Sequence, residues 1–458
     1  MSPPPRPLSA PDFSSPSPFP IDSPHPPPPP FPSPDLSSSH RLLRRRDLLT
    51  CCPPLPNVAV TAAAMKPKRT TKTPKGADKG TRQAAKARPA PRIRRIAIST
   101  GGGDAPGLNA VIRAVVLAAD RLGWECVGIR DGYNGLLLPE AYEKGKGLVE
   151  LTPKRVRGIT HLGGTILGTT NRGNPMSFPV RRKDGTVEEV DRTPELVRAL
   201  RRNRIDALVA IGGDGSLAIA RRLSELGVRV VGVPKTIDND LDGTVVTFGF
   251  DTAVGFATEC LDRLHSTAES HNRVMVVEVM GRYAGWIALA SGVAATADVV
   301  LIPEIPYAIE PVVAKIRERD ARGAKFSILV VAEGAVPRGG GHAVVEKVTG
   351  AAERLGGAGE RLAAELRKHV QHDVRTVVLG HLLRGGTPSA ADRQISLRFG
   401  AAAVRTLAAG GQGVMVALDP PDVRAVPLEL ATKRMKCVPL DGDLVQTARD
   451  LGMCLGDA

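Results

Sequence analysis

The sequence has few cysteines and no long apolar run. Its six cysteines form no CxxC pair and have no histidine at zinc-ligand spacing; they are Cys51, Cys52, Cys126, Cys260, Cys437 and Cys454. This scatter is typical of a reduced, intracellular protein without a zinc site or a disulfide framework. No stretch of roughly 18 or more apolar residues is free of charge, so the sequence predicts no membrane span.

Acidic residues are scarce only near the amino terminus. The net charge is +15, but residues 1–95 carry 17 Lys and Arg against 5 Asp and Glu, which leaves 45 against 42 for residues 96–458. The basic excess therefore belongs to the tail, and the body is not predicted to bind nucleic acid. A body of this length is ample for a sizeable core.

The tail itself changes composition at Met65. Residues 1–64 are rich in proline and serine, and we expect them to be disordered because they offer little apolar surface. Met65 begins a basic stretch that runs to about Arg95. Three interpretations compete: a start codon placed too early, which we favour, an organelle transit segment, or an electrostatic arm. We expect a cytoplasmic protein, or organelle import if the tail is a transit segment.

From Arg95 onward, short apolar runs alternate with amphipathic segments, a pattern that predicts an open, doubly wound α/β fold. The predicted strands are Ile96–Ser99, Glu125–Ile129, Ala207–Ile211, Val228–Val233, Val274–Val279, Val299–Ile302, Ser327–Val331 and Thr376–Leu379. The predicted helices are Leu108–Leu122, Leu217–Leu226, Ala253–Ser266, Ala284–Ala294, Pro311–Arg319 and Ala390–Ala409. Ligands of such sheets lie at the carboxyl ends of the strands, so the loops there are the candidate site.

Two of these loops are rich in glycine. The loop Thr100–Asn109 runs into a helix, where free amides favour an anion, although a plain strand-to-helix turn has the same composition. Pro106 breaks a dinucleotide fingerprint, and no Walker lysine follows. The loop Gly212–Ser216 adds Asp214, a carboxylate suited to Mg²⁺ beside phosphate. Asp214 could equally cap the following helix.

A third loop, Pro234-Lys235-Thr236-Ile237-Asp238-Asn239-Asp240, carries two carboxylates separated by one residue. Such closeness raises one pKa and suits Asp238 as a general base with Asp240 as its electrostatic partner. Asx-rich turns use the same residues for backbone hydrogen bonds alone. Together, the three loops predict a phosphoryl-transfer site.

The segment from Ile96 to about Arg393 resembles the 6-phosphofructokinases. The three loops are followed, in that family's order, by Met280-Gly281-Arg282, Glu333-Gly334 and Gly380-His381-Leu382-Leu383-Arg384-Gly385-Gly386. The resemblance implies two doubly wound lobes with mostly parallel sheets and the active site in the cleft between them. It implies a nucleotide-binding lobe at 93–249 plus about 383–458, and a sugar-phosphate lobe at 250–382, after a tail at 1–92.

The resemblance implies the glycolytic transfer of a phosphoryl group to the 1-hydroxyl of fructose 6-phosphate. Asp238 would be the base, with Asp240 and Thr236 beside it. The donor would bind to Gly102, Arg172, Gly213, Asp214, Gly215 and Ser216, and Asp214 would hold Mg²⁺. Fructose 6-phosphate would bind to Thr236, Ile237, Asp238, Arg273, Met280, Gly281, Arg282, Glu333, Arg375, His381 and Arg384, with Arg282 and Arg172 also catalytic. His381 could also be a core histidine.

The family includes members that use ATP and members that use pyrophosphate. The resemblance ties the choice of donor to two positions, which are the residue after Asp214 and the residue before Thr236. ATP users of the bacterial type have glycine at both positions, and pyrophosphate users have Asp at the first and Lys at the second. This chain has Gly215 and Lys235. A carboxylate at 215 would repel a nucleotide's α-phosphate, so Gly215 favours ATP, with pyrophosphate as the alternative. Leu117 replaces an expected effector arginine four residues after Arg113, so that kind of regulation is not expected.

Some arginines of the family reach across from a neighbouring subunit, so the resemblance implies a homo-oligomer, either a dimer or a tetramer. Two other function classes compete. One is an inactive binding protein with a basic tail, which would lack the base or the metal carboxylate. The other is a kinase of the wider group with a Gly-Gly-Asp-Gly turn, acting on NAD or lipids, which would lack the arginine-rich motifs. We have no function for Arg181–Gly185 or Arg338–Gly341.

Overall fold

The structure is a computed structural model that describes residues 92–143, 145–171, 173–182, 184–342, 344–346 and 354–457. The expectations for the tail at 1–91 lie outside these residues. The strands are β1 (Arg95–Thr100), β2 (Glu125–Ile129), β3 (Leu148–Glu150), β4 (Phe178–Arg181), β5 (Val187–Val190), β6 (Ala207–Gly212), β7 (Val230–Pro234), β8 (Arg273–Val279), β9 (Val299–Leu301), β10 (Ser327–Ala332), β11 (Val344–Glu346), β12 (Arg354–Leu355), β13 (Asp373–Val378), β14 (Val414–Asp419) and β15 (Asp422–Pro427).

The helices connect these strands. They are α1 (Leu108–Asp120), α2 (Asn134–Leu137), α3 (Thr193–Arg202), α4 (Asp214–Glu225), α5 (Phe250–His271), α6 (Trp286–Ala294), α7 (Ile309–Ala321), α8 (Ala358–Leu366), α9 (Ala390–Ala408), α10 (Leu428–Lys433) and α11 (Asp443–Asp450), with 3-10 turns at Pro139–Ala141 and Gly380–Arg384. None of the helices in the described part of the chain combines the length and the hydropathy that crossing a membrane requires.

The first sheet has seven strands in the order β15-β14-β7-β6-β1-β2-β3. Its centre is parallel, and only the outer pairs β14–β15 and β2–β3 are antiparallel. Successive side chains of a strand point to opposite faces. Ile96 and Ile98 therefore pack beneath α1 and α9, while Ala97 packs with α3 and α4. Because both faces are covered at the centre of the sheet, the central strands β6 and β7 are fully buried and apolar.

The second sheet has four parallel strands in the order β13-β8-β10-β9. Here Met275 and Val277 of β8 face α5 and α6, and Val274 and Val276 face α7 and α8. Two small antiparallel hairpins, β4–β5 and β11–β12, complete the described pairing. The predicted α/β class with two doubly wound, mostly parallel sheets is confirmed.

The boundaries of the two predicted lobes stay a prediction. The first sheet takes its strands from residues 95–234 and 414–427, and the second takes them from residues 273–378. The last helix lies beside the second sheet, because Val445 and Ala448 of α11 join the core around Ile287 of α6. The chain end continues there, where Cys454 forms a parallel bridge with Val299.

Candidate active site

Three loops meet at one edge of the first sheet because their strands are neighbours. The strands β1, β6 and β7 are adjacent and parallel, so their carboxyl ends lie side by side. Gly101 N–H donates to Ile211 O at 3.0 Å, and Lys235 N–H donates to Gly212 O at 3.0 Å. The glycine-rich loop, the loop containing Asp214 and the loop containing Asp238 are therefore held together by backbone hydrogen bonds, as the sequence predicted.

The side chain of Ser216 leaves no room for a side chain at two of the glycines. A Cβ atom added to Gly101 would lie 2.6 Å from Ser216 Oγ, and one added to Gly212 would lie 2.5 Å from the same atom. Gly102 instead has a φ of 77°, a conformation that other residues rarely adopt. The glycines thus let the first two loops approach each other closely.

Asp214 begins helix α4 rather than capping it. The helix starts at Asp214 itself, and its N-cap is Gly213, with no side-chain cap hydrogen bond. Asp214 is exposed, and its charge contributes to raising the pKa of both Asp238 and Asp240. A Cβ at the neighbouring Gly215 would meet open space. Asp214 is therefore free to face a ligand at the helix start.

Asp238 is a half-buried carboxylate with an unusual lack of partners. Its Oδ1 is closed to solvent and has no hydrogen-bond partner among the residues that the structure describes. Its backbone N–H donates to Thr236 Oγ1 at 3.1 Å. The Asx-turn alternative requires such an oxygen to be bonded to the local backbone, and it is not. A buried polar atom without a partner is costly and points to a role in binding or catalysis.

Burial and mutual repulsion raise the pKa values of this carboxylate pair. Burial is the main cause for Asp238, and Arg384, Lys235 and Arg282 oppose it. The pKa of Asp240 is raised to about 6, first by burial and then by the charge of Asp238. A raised pKa brings a carboxylate closer to neutral pH, where it accepts a proton more readily as a general base.

Two cations, one from the base loop and one from the turn Gly380–Arg384, donate hydrogen bonds to the first glycine loop. Lys235 Nζ, which is buried, donates to Gly103 O. Arg384 Nη1 donates to Asp104 O at 3.2 Å. Burial, assisted by Arg384, lowers the pKa of Lys235 to about 8. Both cations lie where phosphate oxygens would be attracted.

The sugar-phosphate motifs follow strands of the second sheet. Glu333 N–H donates to Val279 O at 2.9 Å, which places Glu333 beside the turn containing Met280 and Gly281. A Cβ on Gly334 would lie 1.9 Å from Arg282 O, so that position requires glycine. Burial, and next the charge of Asp238, raises the pKa of Glu333 to about 7.

Not every predicted site residue joins this group. Arg273 and Arg375 both donate to Asp373, at 3.0 and 2.9 Å. Arg273 begins β8 while Met280 follows its end, so seven residues, or roughly 23 Å, separate them. The side chain of Ile237 is buried in the core, which leaves only its backbone to face a ligand.

His381 is exposed in the turn Gly380–Arg384, so the alternative of a core histidine is wrong. Arg172 lies outside the described residues, and its predicted role stays a prediction.

Sequence reasoning missed Lys436. Its Nζ donates to Asn239 Oδ1 at 2.8 Å and to the carbonyl oxygens of Thr244 and Val245 at 3.0 Å each. Lys436 lies almost two hundred residues beyond the base loop, and no motif marks it. Only the tertiary structure brings it to Asn239.

Comparisons with known proteins point to one family. The family model described as phosphofructokinase matches residues 95–407. An ATP-dependent 6-phosphofructokinase of Chloroflexus aggregans is 52% identical over 368 residues, covering 80% of this chain and 99% of that protein. A pyrophosphate–fructose 6-phosphate 1-phosphotransferase of Amycolatopsis mediterranei is 48% identical, covering 76% of this chain and 97% of that protein.

Among solved structures, Pichia pastoris phosphofructokinase in the T-state superposes with a TM-score of 0.63 and 31% identity. The match covers 75% of this chain but only 36% of that one. The present chain therefore spans about a third of the length of the yeast protein.

Proposed function

The chain belongs to the phosphofructokinase family, and we propose that it transfers a phosphoryl group from ATP to the 1-hydroxyl of fructose 6-phosphate, giving fructose 1,6-bisphosphate and ADP. The observation that carries the proposal is the unpaired, buried Oδ1 of Asp238. The Asp238 carboxylate also feels the positive charges of Arg384 from the 6-phosphate motif, Lys235 from its own loop and Arg282 from the loop after β8.

In the proposed reaction, Asp238 accepts the proton of the 1-hydroxyl while the hydroxyl oxygen attacks the terminal phosphorus. Thr236 fixes the base loop by accepting from Asp238 N–H. Asp240 keeps the pair's pKa high, and the guanidinium groups of Arg282 and Arg172 balance the charge that spreads over the transferred group. Phosphoryl transfer depends mainly on such positioning and neutralisation.

On the donor side, the backbone of Gly102, Gly213, Gly215 and Ser216 would receive the phosphates at the start of α4. Asp214 is the residue that would hold Mg²⁺. A single exposed carboxylate suits that ion, which usually binds one or two carboxylates together with substrate phosphates and water. Within the described residues, no group of three or more His, Cys, Asp or Glu side chains could hold a metal ion by itself. When bound, Mg²⁺ would neutralise charge on the donor phosphates.

On the acceptor side, Met280, Gly281, Arg282 and Glu333 would surround the sugar, with His381 and Arg384 on the 6-phosphate. Arg273 and Arg375 lie at the other end of the second sheet, where they share Asp373. We infer that these two arginines serve the site of a neighbouring subunit, so the working enzyme is a homo-oligomer.

The choice of ATP rests on the space beside Gly215. A Cβ there meets no atom within 4 Å, so no protein atom crowds the position that the α-phosphate of ATP would pass. Pyrophosphate is the second candidate because Lys235 Nζ adds a cation close to the glycine loop. Its pKa of about 8 leaves Lys235 mostly charged at neutral pH.

A coupled assay with fructose 6-phosphate and Mg²⁺ decides between the donors. We expect a higher kcat/KM with ATP than with pyrophosphate. A clearly higher value with pyrophosphate would overturn the choice of ATP, and no turnover with either donor would overturn the proposed function.

A further inference from the structure

Lys436 is a half-buried cation whose ammonium group donates all its hydrogen bonds to one loop. Its three N–H groups have three acceptors, which are Asn239 Oδ1 at 2.8 Å and the carbonyl oxygens of Thr244 and Val245, each at 3.0 Å. The Nζ atom also lies 5.7 Å from the centre of the Trp286 ring. Since an ammonium group has three donors, none is left over for a substrate. The contacts point to a role within the protein rather than in direct binding.

The acceptor Asn239 is the residue between the two carboxylates. It has a φ of 52°, in the left-handed region that is strained for an ordinary residue and that asparagine tolerates best after glycine. Its Oδ1 also accepts from Thr247 N–H at 3.2 Å. Lys436 and Thr247 thus hold the Asn239 side chain from two sides. Because Asn239 is covalently joined to Asp238 and Asp240, its conformation sets the direction of both carboxylates.

The backbone around Lys436 reinforces this contact. Lys436 N–H donates to Asp240 O at 2.8 Å, and Met435 forms an antiparallel bridge with Leu241. On its other side, Trp286 Nε1 donates to Lys436 O at 2.9 Å. Trp286 begins α6, four residues after the predicted catalytic arginine Arg282. The segment 435–436 therefore links the base loop to the second sheet.

We propose that Lys436 is a positioning residue for the catalytic base, holding Asn239 in its left-handed conformation so that Asp238 points at the acceptor hydroxyl. This role rests on the proposed function of Asp238. Burial lowers the pKa of Lys436 to about 8, against the attraction of Asp240 and Asp242, so the side chain keeps most of its charge at neutral pH. A residue of this kind should affect kcat rather than substrate affinity.

The first test is Lys436→Met, which keeps the length of the side chain and removes the charge and its donors. We expect kcat to fall at least about tenfold, since a small displacement of a reacting group is costly, while KM for both substrates stays within about twofold. The thermal midpoint checks that the variant is folded. Lys433→Met is the matched control, because Lys433 is exposed at the end of α10, and it should behave as the wild type.

The second test asks whether Lys436 acts through Asn239. In an Asn239→Gly background the left-handed conformation needs no support, so adding Lys436→Met should lower kcat by less than about threefold. An equal loss in both backgrounds would overturn the proposal. So would an unchanged kcat in Lys436→Met, or a rise in KM alone, which would mean contact with substrate.

If Lys436→Met does not fold, Trp286→Phe takes its place, because it removes the donor to Lys436 O and still leaves an aromatic ring at this position. The same fall in kcat at unchanged KM is expected, and a wild-type kcat would overturn the role. Turnover by the wild type, measured in the same series, reports separately on the proposed function.

Discussion

Asp238 and Asp240 share one turn and a small set of cations, so their protonation should govern activity at low pH. Burial raises both pKa values, and that of Asp240 reaches about 6. Asp238 must be ionised to accept a proton. Because its pKa is raised, we expect kcat/KM to fall as the pH is lowered from neutral, at a higher pH than an ordinary aspartate would give, and a pH–rate profile would measure this.

Asp240→Asn provides the control for that profile. Removing one carboxylate removes the repulsion, so the acid limb should move to lower pH while Asp238 still acts as base. An acid limb at an unchanged pH would contradict the assignment of the pair.

Gly215 carries a second prediction at the scale of single residues. Gly215→Asp should lower kcat/KM for ATP far more than for pyrophosphate, because the new carboxylate meets open space and would project toward the α-phosphate. The measurement is the ratio of the two kcat/KM values. Gly215→Asn, with the same shape but no charge, is the control. Equal losses with both donors would contradict the argument for ATP.

For single residues, the sequence predicted that the glycines and carboxylates after the strands lie close together. The reason is that the carboxyl ends of parallel strands meet at one edge of the sheet. Lys436 could not be predicted, because its partners Asn239, Thr244 and Val245 are close only after the chain has folded back. The exposure of His381 likewise depended on the path of a turn that no periodicity describes.

At the scale of elements, helix α9 fixes the start of α1 and hence the first glycine loop. A Cβ on Gly400 of α9 would lie 2.7 Å from Val111 O and 2.7 Å from Ala114 Cβ, both on α1. Two helices approach this closely only where one of them has no side chain.

Gly400→Ala should therefore destabilise the protein by roughly 1–3 kcal/mol, despite the better helix propensity of alanine. Unfolding in urea measures the change. The matched control is Gly255→Ala in α5, where the new Cβ meets no atom within 4 Å, and a gain of up to about 1 kcal/mol is expected. A stable Gly400→Ala variant would mean that the helices separate without cost.

Most predicted elements agree with the structure to within a few residues, because strands buried on both faces and long amphipathic helices have strong patterns. Glu125–Ile129 is reproduced at both ends, whereas α5 begins three residues earlier than predicted and ends five later. The hairpin β4–β5 was not among the predicted elements. Its strands are short and mostly exposed, so little hydrophobic alternation marks them.

At the scale of the whole molecule, the distance between Arg273 and Met280 separates the predicted sugar-phosphate residues into two groups. If each site takes arginines from a second copy, Asp238→Asn and Arg273→Ala subunits should complement each other. Random mixing in an isologous dimer leaves about one site in four intact. Coexpressing the two variants and measuring turnover tests this, and an activity no higher than that of either variant alone would contradict a shared site.

The family and the architecture could be predicted from the sequence, because the order of the motifs and the alternation of apolar runs are visible in the sequence itself. The boundaries of the two lobes are harder to predict from the sequence. The carboxy-terminal helix α11 continues from the segment beside the base loop, yet it packs on the second sheet through Val445 and Ala448. Local pattern does not reveal which sheet an amphipathic helix covers.

Asp238 as the catalytic base is tested most directly by the turnover of fructose 6-phosphate with ATP and Mg²⁺ by Asp238→Asn, measured beside the wild type. We expect a kcat lower by about 10²–10⁴, the usual contribution of a positioned base, with binding of fructose 6-phosphate retained. A kcat close to that of the wild type in the folded variant would contradict it.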